Sequence, residues 1–361
     1  WLEGSGAVYA ENQVLAWLAS EFGMPATAGG VFVQGGTLGN LSALVAARDH
    51  ARAERARAER ARAERTEAPH GPAVPAHHRR WKIVCSAEAH SSIASAAGVM
   101  DVDVVPVAPD PSGVLRGAQV RAALEEHGDD VFAVVATAGS TNFGIVDDIA
   151  SIAALKADHD FWLHVDGAYG LAGMLSPEAR HHFAGVEHAD SAIVDPHKWL
   201  FAPFDACALL YREPELARRA HTQHAEYLDT LTETAEWSPS DYAAHLTRRA
   251  RGLPLWFSLA SHGAAAYRDA VTASIRLAER IAGEIESRPG FRLVRPPQLS
   301  VVVFERDGWS REDYAIWSAR LLEEQHAFVT PSSHDGRPNT RFAIVNPNTT
   351  FEHLTGILDT M

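Results

Sequence analysis

Six short runs rich in Val, Ile, Ala and aromatic residues recur through the first two-thirds of the chain: RRWKIVCS, DVDVVPV, VFAVVATA, FWLHVDGA, DSAIVDP and ACALLYR. Each reads as a short buried strand. Helix-like segments, among them RGAQVRAALEEHG and IASIAALKADHD, separate several of them. This alternation leaves few architectures open, because parallel neighbours need a long crossover and a sheet buried on both faces needs helices over each. The expected fold class is α/β, with a mainly parallel sheet. Sheets of this kind bind ligands at the carboxyl ends of their strands, so that is where chemistry is sought.

Beyond about residue 255 the texture changes. A long amphipathic segment, HGAAAYRDAVTASIRLAERIAGEIESRPG, ends at a Pro-Gly stop. Then follow FRLVRPPQLSVVVFER, the helical SREDYAIWSARLLEEQ, RFAIVN and a final helix, for which Thr349 and Glu352 fit a capping box. The reading is a large domain over 1–255 and a small C-terminal α+β domain over 256–361. Residues 51–65 are three copies of ARAER, read as an exposed helical extension carrying Glu–Arg pairs at helical spacing.

Several function classes are disfavoured at once. A net charge of -14 argues against a nucleic-acid surface. No apolar run approaches the roughly 18 residues a membrane span needs. Two separated cysteines, Cys85 and Cys207, make neither a disulfide framework nor a zinc motif, and read as buried thiols in a reducing, cytoplasmic setting. GGTLGN, Gly35 to Asn40, lacks both the P-loop lysine and the dinucleotide spacing. His221 and His224 share a helical spacing, but no third ligand completes a set among 19 histidines, so no metal is expected.

The residue that demands an explanation is Lys198, set in the apolar stretch DSAIVDPHKWLFAPFDACALL. Burying an ammonium is costly, and a buried lysine has a depressed pKa that frees its amine to attack a carbonyl as a Schiff-base nucleophile. Asp166 ends the apolar strand FWLHVDGAYG and needs a cationic partner to stay ionised. An imine-forming lysine and an aspartate facing a cation together suggest pyridoxal phosphate, with the aspartate on the pyridine nitrogen. QGGTLGNLSALVAAR offers backbone donors for a phosphate at a helix start, and EAHSSIASAA places His90 just after a strand as a flat partner for the ring.

GVFVQGGTLGNLSALVAAR, HSSI, TAGSTNFGIVDDI, WLHVDGAYG, DSAIVDPHKWL and RFAIVN, in this order along nearly the whole chain, resemble blocks of the group II pyridoxal-phosphate-dependent amino-acid decarboxylases. The aromatic-L-amino-acid type is nearest. The resemblance implies a type I PLP-dependent transferase fold and a homodimer with the active site at the subunit interface. It implies Lys198 as the Schiff-base lysine, Asp166 as the pyridinium partner, His90 on one ring face and Ala168 on the other. Gly36, Thr37 and His197 match phosphate contacts, and Thr141 matches a threonine near the cofactor. Phe204 falls where the family has a substrate-pocket aromatic. Tyr227 matches a loop tyrosine that supplies a proton to the substrate α-carbon.

This chain departs from the pattern in having Leu38 where an acidic residue is usual and Asp195 where an asparagine is common before Pro-His-Lys. Its start, WLEGSGAVYAENQVLAWL, matches the segment just after the family's N-terminal arm. The expected activity is decarboxylation of an L-amino acid, an aromatic one favoured because Trp199, Phe201 and Phe204 crowd the lysine in sequence. The alternatives are a carbon–carbon lyase or an aldehyde synthase on the same scaffold, or a catalytically idle scaffold.

Overall fold

The structure is a computed structural model that describes residues 4–65, 80–223 and 237–361. Seven strands, β1 (Gly29–Val33), β2 (Lys82–Ser86), β3 (Asp103–Val107), β4 (Val131–Thr137), β5 (Trp162–Asp166), β6 (Ser191–Val194) and β7 (Cys207–Tyr211), form one sheet. Their order is β1-β7-β6-β5-β4-β2-β3. Only β7 runs against the rest, pairing antiparallel with β1 and β6. Each expected run contains a strand, and β1, over GGVFV, adds a seventh. Its glycines weaken the strand signal, yet they are required there: a Cβ on Gly30 would sit 1.8 Å from the Leu209 carbonyl oxygen.

The strands divide their side chains between two cores with period two. In β4, Val134 and Ala136 enter one core, and Ala133 and Val135 the other. The first core is closed by α1 (Ser5–Glu21), α4 (Gly117–His127) and the short α5 (Ile149–Ala153). The second is closed by α2 (Gly35–Arg65), α3 (Ser91–Met100) and α7 (Pro214–His221). Between β6 and β7 lies α6 (Pro196–Trp199), a single turn with proline at its start. This is the mainly parallel, helix-covered sheet of the type I fold.

The ARAER repeats prolong α2, where Arg57 pairs with Glu54 and the Arg55 guanidinium lies 3.9 Å over the Trp81 ring. Cys85 and Cys207 are both buried free thiols. Among the described residues, no helix is long and apolar enough to cross a membrane, and no group of three or more His, Cys, Asp or Glu could hold a metal ion.

A second, antiparallel sheet has the order β10-β11-β9-β8, from β8 (Phe291–Leu293), β9 (Val301–Arg306), β10 (Pro331–His334) and β11 (Arg337–Ala343). The long α8 (Leu253–Ser287) joins it to the first, bending at Gly263, whose φ of 76° is not helical. Leu255, Tyr267, Val271 and Ile275 of α8 pack into the large core, while Ala278, Ile281, Ala282 and Ile285 pack into the small one. The boundary expected at 255/256 thus falls inside a helix that serves both units. Also in the small unit are α9 (Arg311–Glu323) and α10 (Phe351–Leu358). The cap of α10 lies one residue later than expected: Thr350 Oγ1 accepts from the His353 N–H at 3.3 Å, and His353 Nδ1 accepts in return from the Thr350 N–H at 3.2 Å. A histidine therefore completes the box where Glu352 was read to do so.

Candidate active site

The carboxyl ends of β1, β2, β4, β5 and β6 meet at a cavity of about 250 Å³. That is slightly below the usual range for small-molecule sites. It brings together Lys198, Asp166, His90, Gly36, Thr37, Thr141, Ala168 and His197, all candidates from the sequence.

Each arrives by a local rule. Asp166 is the last residue of β5, and its ladder partners are Thr137 of β4 and Ile193 of β6. It is buried, with Oδ1 accepting from the Ala168 N–H at 3.2 Å and Oδ2 from Asn40 Nδ2 at 2.9 Å. His90 caps α3, its Nδ1 accepting from the Ser92 N–H at 3.2 Å. Gly35 has a φ of 71°, the left-handed turn that swings β1 into the start of α2. His197 Nδ1 lies 2.7 Å from the Ala206 carbonyl, which anchors its ring.

Lys198 differs from expectation. It projects from α6, beyond the end of β6, rather than from within the apolar strand, and its side chain is 40% exposed in the single chain. Its Nζ stands 3.1 Å from Asp195 Oδ2. Asp195 is buried, and the same oxygen accepts the Gly36 N–H at 3.2 Å and lies 3.6 Å from His197 Nε2. The lysine is thus held by a buried counterion at the cavity wall, and its setting is not the apolar one read from sequence.

Trp199 also departs from the reading. Successive residues of a helical turn point about 100° apart, so Trp199 turns into the core while Lys198 faces the cavity. It is fully buried and stacks on Tyr169 with ring centroids 5.1 Å apart. Phe204 does not line the cavity; 77% exposed, it packs against the His197 ring at 4.7 Å. Tyr227 lies outside the described residues.

Asn40, Ser92, Thr137 and Tyr169 also line the cavity and were not singled out from sequence. A signal existed for one of them. Asn40 is four residues beyond Gly36, so both share a helix face. Another missed residue, His164, is two residues before Asp166 and so on the same side of β5. It is fully buried, and burial holds its imidazole down at about 4 against the opposing pull of Asp166, so it is neutral near pH 7. From the small unit, Arg341 of β11 donates to the Thr141 carbonyl at 2.6 Å, fixing one rim of the cavity.

These residues fit a pyridoxal phosphate. An amine, a carboxylate, an imidazole and a helix start with a glycine backbone face one space. Two buried polar atoms on its lining, Thr137 Oγ1 and Asp195 Oδ1, have no hydrogen-bond partner among the described residues. Around Gly36 a side chain would be crowded, since a Cβ would lie 3.1 Å from Asp195 Oδ2 and 3.3 Å from Ala168 Cβ.

The pyridoxal-dependent decarboxylase conserved domain matches residues 6–306. An aromatic-L-amino-acid decarboxylase of Bacillus atrophaeus is 29% identical over 99% of this chain and 73% of its own length. An L-2,4-diaminobutyrate decarboxylase of Rhizobium meliloti is also 29% identical, over 99% of this chain and 70% of its length. Among solved structures, the Oryza sativa TDC with PLP and tryptamine superposes with a TM-score of 0.86 at 25% identity, over 100% of this chain and 77% of that one. The chain belongs to the pyridoxal-dependent decarboxylase family, and it is a pyridoxal-phosphate-dependent amino-acid carboxy-lyase.

Proposed function

We propose that the chain decarboxylates an aromatic L-amino acid to its amine and carbon dioxide. One observation carries the reading: Lys198, Asp166, His90 and the start of α2 converge on one cavity. Pyridoxal phosphate, when bound, supplies the electron sink for the bond to the departing carboxylate. Lys198 is the residue that would hold the cofactor's aldehyde through its amine. Asp166 would hold a proton on the ring nitrogen, and His90 and Ala168 would flank the ring. The Gly36 and Thr37 end of α2, with His197, would hold the phosphate, and Thr141, on the cavity lining, would adjoin the cofactor. Tyr227 delivers the proton to the substrate α-carbon.

The aromatic preference is supported by the resemblance to aromatic decarboxylases and by Phe204, whose open ring packs against cavity-lining His197. We further propose a homodimer that completes the cavity. Tyr9, Phe204 and Phe257 are 66%, 77% and 58% exposed in the single chain, as residues awaiting a partner would be.

The test supplies pyridoxal phosphate and a panel of aromatic amino acids, histidine and 2,4-diaminobutyrate, and measures carbon dioxide and amine together. Equal yields of both from an aromatic substrate are expected. Turnover of 2,4-diaminobutyrate alone overturns the aromatic preference, and aldehyde with ammonia moves the chain to the aldehyde synthases. Lys198→Ala is expected to abolish turnover. Tyr227→Phe is expected to slow amine formation by about 10²-fold or more and to release some aldehyde.

A further inference from the structure

A buried hydrogen-bond chain runs beneath the cavity across four elements. Trp162 Nε1 donates to Ser191 Oγ at 2.8 Å. His164 Nδ1 lies 2.8 Å from the same oxygen, and His164 Nε2 lies 2.8 Å from Asn40 Oδ1. Asn40 Nδ2 then reaches Asp166 Oδ2 and Ser92 Oγ, each at 2.9 Å. Ser92 Oγ is 2.8 Å from His90 Nδ1.

Chemistry fixes the direction of every link. An indole N–H can only donate and a carboxylate can only accept. Asn40 must turn its amide nitrogen to the Asp166 carboxylate, which leaves its oxygen to accept from His164 Nε2, so His164 Nδ1 takes the Ser191 hydroxyl proton while the Ser191 oxygen accepts from Trp162. The neutral His164 then carries its hydrogen on Nε2 and donates to Asn40. The Asn40 amide spends its two hydrogens on Asp166 and Ser92, and Ser92 passes its hydroxyl proton to His90 Nδ1. That nitrogen also accepts the Ser92 backbone N–H, so His90 keeps its hydrogen on Nε2.

We infer that Asn40 is a positioning residue that orients Asp166 and fixes the tautomer of His90 together, so that both meet the cofactor ring in one arrangement. Asn40 lines the cavity but is 1% exposed, and His164 is fully buried beneath it, so their hydrogen bonds go to other side chains of the site. The members that lead to Asp166, namely Trp162, Ser191, His164 and Asn40, are neutral, which leaves the charge of Asp166 for the ring nitrogen. A charged histidine in place of the neutral His164 would compete for that charge. Leucine at position 40, with the same number and branching of side-chain heavy atoms, would cut both branches. Asp166 would lose its amide donor, and the Ser92 hydroxyl would lose the partner that directs it.

The inference rests on the assignment of Asp166 and His90 to the cofactor, and the experiment separates the two claims. Cofactor-free protein is titrated with pyridoxal phosphate, following the absorption band of the bound cofactor, for wild type, Asp166→Ala, Asn40→Leu and the double variant. Asn40→Leu is expected to weaken binding about tenfold or more, the scale of one hydrogen bond to a charged group, and to shift the band. In the double variant the loss is expected to be smaller than the sum of the singles, because Asn40 acts through Asp166. A merely structural role would give additive losses and an unshifted band, and that outcome overturns the inference. Wild-type binding by Asp166→Ala instead overturns the assignment of Asp166 itself. If Asn40→Leu does not fold, Asn40→Ser replaces it. Serine cannot span to both Asp166 and Ser92, so the same non-additive loss is expected, and wild-type binding by Asn40→Ser overturns the inference.

Discussion

At the scale of single residues, the cavity is organised around carboxylates that face different ways. Asp166 is satisfied by N–H donors, whereas Asp195 sits among Lys198, His197 and the Gly36 N–H with one oxygen unpartnered. In the proposed reading Gly36, whose N–H Asp195 Oδ2 accepts, would hold the cofactor phosphate, which would bring a second anion beside Asp195. Asp195→Asn removes one of the two anions and is expected to tighten pyridoxal phosphate binding several-fold, as read by equilibrium titration. Weaker binding would show that the Asp195–Lys198 pair matters more than the repulsion. His164 gives a pH prediction. Its folded-state pKa of about 4 lies below the ordinary 6.5, so between those values the unfolded chain binds more protons and stability is lost as pH falls. The full effect is about 3 kcal/mol. Asp147 works in the opposite sense: burial raises it to about 7 from 3.8, so its contribution to stability falls as pH rises through that window. Comparing denaturant midpoints of wild type and His164→Gln from pH 4 to 7 isolates the histidine. The variant should lose less stability on acidification, and parallel curves would refute the assignment.

At the scale of elements, the sheet and α8 depend on contacts that leave little tolerance. Glu11 of α1 is buried and pairs with Arg248, while also accepting the Gly252 N–H at 2.8 Å at the start of α8. Glu11→Ala would strand a guanidinium that is itself 9% exposed, and is expected to cost about 3–5 kcal/mol by chemical denaturation. A change within 1 kcal/mol would mean that water reaches Arg248. In β1, Gly30 meets the Leu209 carbonyl too closely for any side chain. Gly30→Ala must push β1 from β7 and is expected to cost about 3 kcal/mol, the upper end of overpacking costs.

At the scale of the whole molecule, the small unit helps shape the cavity. Arg341 reaches the Thr141 carbonyl, Gln298 Oε1 accepts the Val146 N–H at 2.8 Å, and Tyr169, on the cavity wall, bonds Ser300. Arg341→Ala is expected to raise KM more than it lowers kcat, because it frees the rim around Thr141 without removing a reacting group. The proposed homodimer is checked by sedimentation of the chain with and without cofactor. A monomer that turns over at full rate would rule out a site completed by a partner.

Much of this was legible in the linear sequence. Short, nearly continuous apolar runs separated by helical segments specify a parallel sheet, because only strands buried on both faces tolerate such composition. Lys198, Asp166, His90 and the glycines that open α2 were legible because each is a chemically costly or distinctive residue at a strand end or helix start. Other features depended on the fold. Asn40 and His164 are unremarkable in sequence, and become a connected chain only because β5, β6, α2 and α3 converge. The rotation of one helical turn decided that Lys198 faces an acidic, open wall while Trp199 enters the core. The division between the units likewise depended on which residues of α8 find which core. Residue chemistry and spacing are local properties and can be read along the chain; which buried polar groups meet is set by packing between elements distant in sequence.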